Sequence, residues 1–238
     1  MRARPFVFTL VLGALAGAAH ADLLWSNVSK IPADLETTGD AWSAVRANDP
    51  DFVSYRCAAD DVWFDRPVRI DRIIYYSVPL GNPEILGGDF YVWTVGPGGH
   101  PDKLVAWGAD LDHSYENTGW TNPNFGPIMR NVIAPTNLVL DPGAYFFGFR
   151  TYQTFIGHTG KDTNGILTTR QVHGSYQAHW SFDVLTNGSV NGPWYTMDAF
   201  NGVRENEWAF ELEGAIVPEP ATWLALGAGS ALLLRRRR

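Results

Sequence analysis

The sequence predicts an all-β protein: a two-sheet antiparallel sandwich, jelly-roll-like in its succession of short strands, with an N-terminal signal helix and a C-terminal apolar helix outside it. Three observations carry this. Glycine (24) and proline (15) are frequent, methionine is scarce (3) and aromatics reach 13%, a balance that favours turns and pleated strands over helices. Short runs of β-branched and aromatic residues recur, punctuated by turn signals. Between residues 22 and 214 no helical period of useful length is visible, beyond a short turn near Thr38 to Ala47.

Taken in order, the chain opens with Arg2 and Arg4, an apolar run from Phe6 to Ala18, and Ala19-His20-Ala21. A basic start, a short apolar stretch and small residues at the two positions read by a signal peptidase predict a signal peptide over 1–21, cleaved after Ala21. The body, 22–214, is expected to be one sandwich domain. Its expected strands are Leu23 to Val28, Phe52 to Cys57, Asp61 to Phe64, Val68 to Val78, Phe90 to Val95 and Leu104 to Trp107, then Ile128 to Ile133, Leu138 to Leu140, Tyr145 to Tyr152, His179 to Leu185 and Trp208 to Leu212. Gly81-Asn82-Pro83, Gly96-Pro97-Gly98-Gly99, Asp141-Pro142-Gly143 and Asn187-Gly188 separate them. Residues 153–177 carry little strand character and are expected to form a long loop.

The final segment, 215–238, has three parts. Pro218-Glu219-Pro220 is short and rigid, 221–234 is apolar and uncharged, and Arg235, Arg236, Arg237 and Arg238 close the chain. The 14 apolar residues are fewer than the ~20 that cross a bilayer upright. Trp223 at one interface and the arginine stems beyond Leu232, Leu233 and Leu234 at the other extend the reach, so a short transmembrane helix with cytoplasmic arginines is expected.

Charge and cysteine narrow the classes. Six of the 18 basic residues lie in the two tails, against one of the 25 acids, which leaves 12 basic and 24 acidic residues in the body. A body near −12 repels phosphate backbones and argues against nucleic acid as a partner. Cys57 is the lone cysteine, so no internal disulfide forms, and a buried apolar thiol is its expected state.

Pro218-Glu219-Pro220, Ala221-Thr222-Trp223, a Gly-containing apolar helix and a terminal arginine cluster resemble the PEP-CTERM sorting signal. The resemblance implies an exported protein of a Gram-negative bacterium that makes exopolysaccharide. It also implies that an exosortase, a membrane protease-transpeptidase, recognises the tag and removes the helix. A second likeness lies in the body: Ala59-Asp60-Asp61-Val62-Trp63-Phe64, Phe90-Tyr91-Val92-Trp93, a Gly-Pro-Gly-Gly turn and Leu140-Asp141-Pro142-Gly143-Ala144-Tyr145 are similar to a jelly-roll-like domain found before such tails.

Catalytic signatures are absent: there is no Gly-x-Ser-x-Gly, His-Glu-x-x-His, phosphate-binding Gly-Lys-Ser/Thr or Cys-x-x-Cys. His158, His173 and His179, with His100 and His113 elsewhere, follow no ligand spacing. Asp60-Asp61, Asp110-Leu111-Asp112, Asp162-Thr163-Asn164-Gly165 and Asp198 with Asn201 and Glu205 offer oxygens suited to one structural calcium, but none forms a recognised loop, and turn-capping accounts for most of them. No cofactor is expected. Trp120, Trp180, Trp194 and Tyr195 flank Gly- and Asn-rich segments; they are read either as anchors packed into the sandwich or as platforms on which sugar rings stack. The expectation is therefore a non-catalytic, carbohydrate-binding or adhesive protein of the cell surface or matrix, associated with exopolysaccharide. The alternatives are a polysaccharide hydrolase or lyase, and a self-associating structural subunit.

Overall fold

The long strand β5 (Val68–Leu80) organises the molecule, because four strands pair along its two edges. In the computed structural model the described residues are 21–37, 41–47, 56–81, 83–154, 163–170, 178–181, 184–185, 187–190, 193–196 and 206–218. The remaining elements are β1 (Asp22–Ser26), α1 (Ala33–Thr37), β2 (Ala41–Ser43), β3 (Val45–Ala47), β4 (Cys57–Phe64), β6 (Ile85–Val95), β7 (Pro101–Leu111) and β8 (His113–Asn122). After them come β9 (Gly126–Ile133), β10 (Leu138–Leu140), β11 (Gly143–Gln153), β12 (Thr163–Arg170), β13 (His179–Ser181), β14 (Tyr195–Thr196), β15 (Asn206–Trp208) and β16 (Phe210–Ile216).

Two sheets pack face to face. Sheet A runs β1-β16-β5-β12-β15, with β9 and β10 on the other edge of β5, β8 beside β9, and β2 beside β12. Sheet B runs β14-β13-β4-β11-β6-β7, with β3 beside β11. The β3–β11 pair is parallel, so sheet B is mixed rather than purely antiparallel as the sequence predicted. Strand alternation builds the layer between the sheets: Val68, Ile70, Ile73 and Tyr75 of β5 meet Phe147 and Phe149 of β11 and Phe210 of β16. Tyr75 stacks on Phe149 at 5.0 Å. An irregularity near Asp71-Arg72 switches the parity of β5, which is why Ile70 and Ile73 both point inward.

Each sheet also carries a smaller apolar layer on its outer face. On sheet A, Leu35 of α1 and Val28 cover Ile74, Tyr76, Val78 and Leu167. On sheet B, Val184 and Val190 lie over Cys57, Ala59, Tyr91, Trp93 and Phe146. Asp60 points into the space between the sheets. Its carboxylate accepts hydrogen bonds from Asn27 Nδ2 (2.9 Å), Trp208 N (2.8 Å) and Asp61 N (3.0 Å), tying sheet B to two segments of sheet A.

Several sequence expectations are corrected here. Asp60-Asp61 is not a turn but the middle of β4. The turn expected near 38–47 is replaced by β2 and β3 over its described part, and the helix lies earlier, at α1. The stretch 153–177 contains β12, whose Ile166 and Leu167 are both fully buried because apolar layers cover both faces of sheet A there. The polar strand β8 escaped the sequence reading because it pairs on one edge only and keeps exposed polar residues. Strand β16 continues to Ile216, past the boundary read at 214. The signal helix, with Ala19, and the tail from Glu219 onward lie outside the described residues; among those described, no helix is long and apolar enough to cross a membrane.

Candidate functional site

Beneath the outer face of sheet B lies a buried charged cluster. Register places Arg150 of β11 opposite Asp89 of β6. Arg150 Nε donates to Asp89 Oδ2 at 2.8 Å, with both side chains fully buried. Arg46 of β3 donates to the same carboxylate from Nε (2.8 Å) and from its terminal nitrogen (3.0 Å), and pairs with Asp110 as well. Burial by itself would raise the Asp89 carboxyl, but the hydrogen bond from Arg46 and the charges of Arg150 and Arg46 outweigh it and hold it below the ordinary carboxylate range. The rest of the Arg150 guanidinium donates to the Tyr91 hydroxyl and to the Val184 carbonyl. The cluster thus fixes both an aromatic of the sheet and the segment that covers it.

Above the cluster runs a band of aromatic rings. Trp107 of β7 sits directly across from Tyr91 of β6. Tyr91 stacks on Trp93 at 5.4 Å, and Trp93 meets Trp194 edge-on at 5.2 Å. Two glycines permit this packing. At Gly148 a side chain would meet Trp93 Cη2 at 2.8 Å and Cys57 Sγ at 3.1 Å, and at Gly188 it would meet Leu104 and Tyr91. Gly188 also has φ +79°, a conformation open to glycine, in the turn Leu185–Ser189 that lies over Tyr91. In that turn Asn187 Oδ1 accepts from Ser189 N at 3.0 Å. Trp107, paired with Tyr91, is 49% exposed, while the polar Asn187-Gly188-Ser189 turn lies over Tyr91 and Leu104.

The four aromatics singled out in the sequence do not share one face. Trp120 lies on the outer layer of sheet A, 6.3 Å from Tyr76. Trp194 and Tyr195 belong to the sheet B side, both half-buried, with Trp194 packed on the outer apolar layer. Trp180 lies on β13 opposite Tyr195, and its side chain is outside the described set. An exposed aromatic on this face that the sequence reading did not single out is Trp107. Its signal was the alternation Val105-Ala106-Trp107-Gly108, in which every second residue turns outward.

A surface cleft of about 510 Å³ lies where the β9/β10 edge of β5 is unpaired, at Asp71-Arg72. Asp112, His113, Ser114, Val132 and Ala134 complete its lining. Two of its charges are paired: Asp71 is held by a two-pronged contact from Arg69 (2.7 and 3.0 Å), and Arg72 pairs with Glu213 at 2.9 Å. Burial pushes the His113 imidazole down to about 4, so it is neutral at neutral pH, with Nε2 3.2 Å from the Tyr75 hydroxyl. No exposed aromatic ring lines this cleft.

No group of three or more His, Cys, Asp or Glu side chains able to hold a metal occurs among the described residues. His179 is buried against Phe146, while His158, His173, Asp198, Asn201 and Glu205 fall outside the described set. The chain matches no family model and no curated protein.

Proposed function

We propose that this chain is an exported β-sandwich displayed on the bacterial surface, jelly-roll-like in its body, which binds polysaccharide without transforming it. In this reading 1–21 is the export signal removed by signal peptidase, and Pro218-Glu219-Pro220 with the apolar segment and arginines behind it is a PEP-CTERM tag taken by an exosortase. The observation that supports the binding reading is Trp107, half-exposed on the strand position paired with Tyr91, the ring over which the Asn187-Gly188-Ser189 turn lies. The C–H face of a sugar ring stacks on such an indole, whose ring face is electron-rich, while neighbouring amides take its hydroxyls. The rings below are rigidly packed, so little ordering entropy opposes binding.

The test is titration of residues 22–217 against bacterial and plant polysaccharides, with calcium and with chelator. Trp107→Ala is expected to weaken binding about 10-fold, on the order of the ~1.4 kcal/mol of one stacked ring, and Trp120→Ala on the opposite sheet to leave it unchanged. A folded domain that binds no glycan sinks the binding reading and leaves the alternatives of a structural subunit or an enzyme with an untested substrate. For the sorting reading, mass spectrometry of the surface form should find the arginine cluster gone; an intact C-terminus there would refute it.

A further inference from the structure

One end of the sandwich gathers large apolar side chains that neither sheet covers. Strand pairing defines that end. Ile216 of β16 and Leu140 of β10 both pair with Val68 at the start of β5. Phe64 ends β4, and Asp65-Arg66-Pro67 carries the chain straight into Val68. Asp141-Pro142 joins β10 to β11, whose first residue, Gly143, pairs with Phe64. Trp63, Val139 and Ile216 therefore all lie within one residue of the same terminal row. They are 60%, 53% and 52% exposed. Trp63 stands on the outer face of sheet B, Val139 on the outer face of sheet A, and Ile216 at the end of the last strand, so together they ring this end.

The chain leaves the sandwich from this same end. Val217 N donates to Pro67 O at 2.8 Å, which holds the chain against the β4–β5 turn through Val217. From Val217 to Ala221, where the apolar segment begins, there are four residue steps, at most ~14 Å of extended chain. Two prolines in that stretch stiffen it further. A domain tethered this closely cannot hold its tethered end away from a bilayer that contains 221–234.

We propose that this end is a membrane-contact surface: while the tail is inserted, Trp63, Val139 and Ile216 sit in the headgroup zone of the phospholipid bilayer. The inference rests on the reading of 221–234 as an anchor. Tryptophan suits the water–lipid boundary, and two aliphatic side chains beside it add buried apolar area. Both arginines at this end sit beside acids, Arg66 by Asp65 and Arg69 held by Asp71, and Asp141 adds a further negative charge, so the contact is apolar rather than driven by anionic lipid. The docked orientation aims the β5–β6 turn and Leu86, at the far end, toward the outside.

The experiment uses the full chain inserted in vesicles of phosphatidylethanolamine and phosphatidylglycerol, with one nitroxide label at a time on Val139→Cys, Leu86→Cys or Leu226→Cys. Cys57 is fully buried and stays unlabelled in the folded protein. The label at 139 should collide with oxygen in preference to a water-soluble nickel chelate, several-fold more so than the label at 86. Adding Trp63→Ser and Ile216→Ser should return the 139 label toward the 86 value while 226 stays in lipid. A label at 139 as aqueous as that at 86, with 226 in lipid, overturns the contact surface alone. A label at 226 in water overturns the anchor reading, and the contact surface with it.

Discussion

Asp89→Asn isolates the physics of the buried cluster. The substitution keeps the shape of the side chain and removes its charge. What remains is Arg150, fully buried, facing an amide whose NH₂ competes with two guanidinium groups for the same space. Breaking one side of a buried ion pair costs about 3–5 kcal/mol, because the surviving charge keeps its desolvation penalty without its partner. For a body of this length each kcal/mol lowers Tm by about 2–4 °C, so a fall of roughly 6–20 °C is expected. Arg46 is partly exposed, with 11% of its side chain open, so Arg46→Gln should cost less than Asp89→Asn. The double variant Asp89→Leu with Arg150→Met removes the fully buried pair, leaves Arg46 its contact with Asp110, and should recover most of the loss. Urea unfolding of residues 22–217, followed by tryptophan fluorescence and by far-ultraviolet circular dichroism, measures all four proteins. An Asp89→Asn protein within ~1 kcal/mol of the parent would refute the uncompensated-charge argument. A double variant as damaged as the single would show that hydrogen-bond geometry, including the hold on Val184, matters more than charge.

Three further outcomes follow from the same structure. His113 binds its proton near 6.5 when unfolded but only near 4 when buried in the fold, so stability should decline as pH falls through that window, and His113→Gln should flatten the decline; parallel slopes for the two proteins would refute it. Asp60 works in the opposite sense, since burial first and then Glu207 and Asp61 hold its carboxyl well up, but it is common to both proteins and cancels in their difference. Gly148→Ala drives a methyl group into Trp93 and Cys57 and should cost about 1–3 kcal/mol; an unchanged Tm would mean that the aromatic band yields easily. Cys57 is fully buried, and burial pushes its thiol up to about 12, so a thiol reagent should react only in denaturant, and fast native reaction would contradict its placement under Gly148.

The strands most legible in sequence are those that alternate or run continuously apolar: β5, β6, β11 and β16 each lie at or near their expected positions, because burial against a sheet imposes its own period. Strands β8 and β12 were hidden for opposite reasons. β8 is a polar edge strand held by one neighbour, and the strand character of β12 exists only because separate layers close over both of its faces. The sites divide in the same way. Trp194 was visible as an aromatic amid turn residues, whereas the setting of Trp107 depends on pairing with Tyr91, over which a distant turn is laid.

What the sequence by itself determined is the fold class with its two-sheet body, and the balance of charge and cysteine, since composition and short-range pattern suffice for these. The expectations for the export signal and the sorting tag also rest on local pattern alone. Only the tertiary structure decided that Asp60 is a strut between sheets, that Asp89, Arg150 and Arg46 share one buried cluster, and that Trp63, Val139 and Ile216 lie at the one end where the chain departs. Each of these brings together residues tens of positions apart, through strand register that no local window contains.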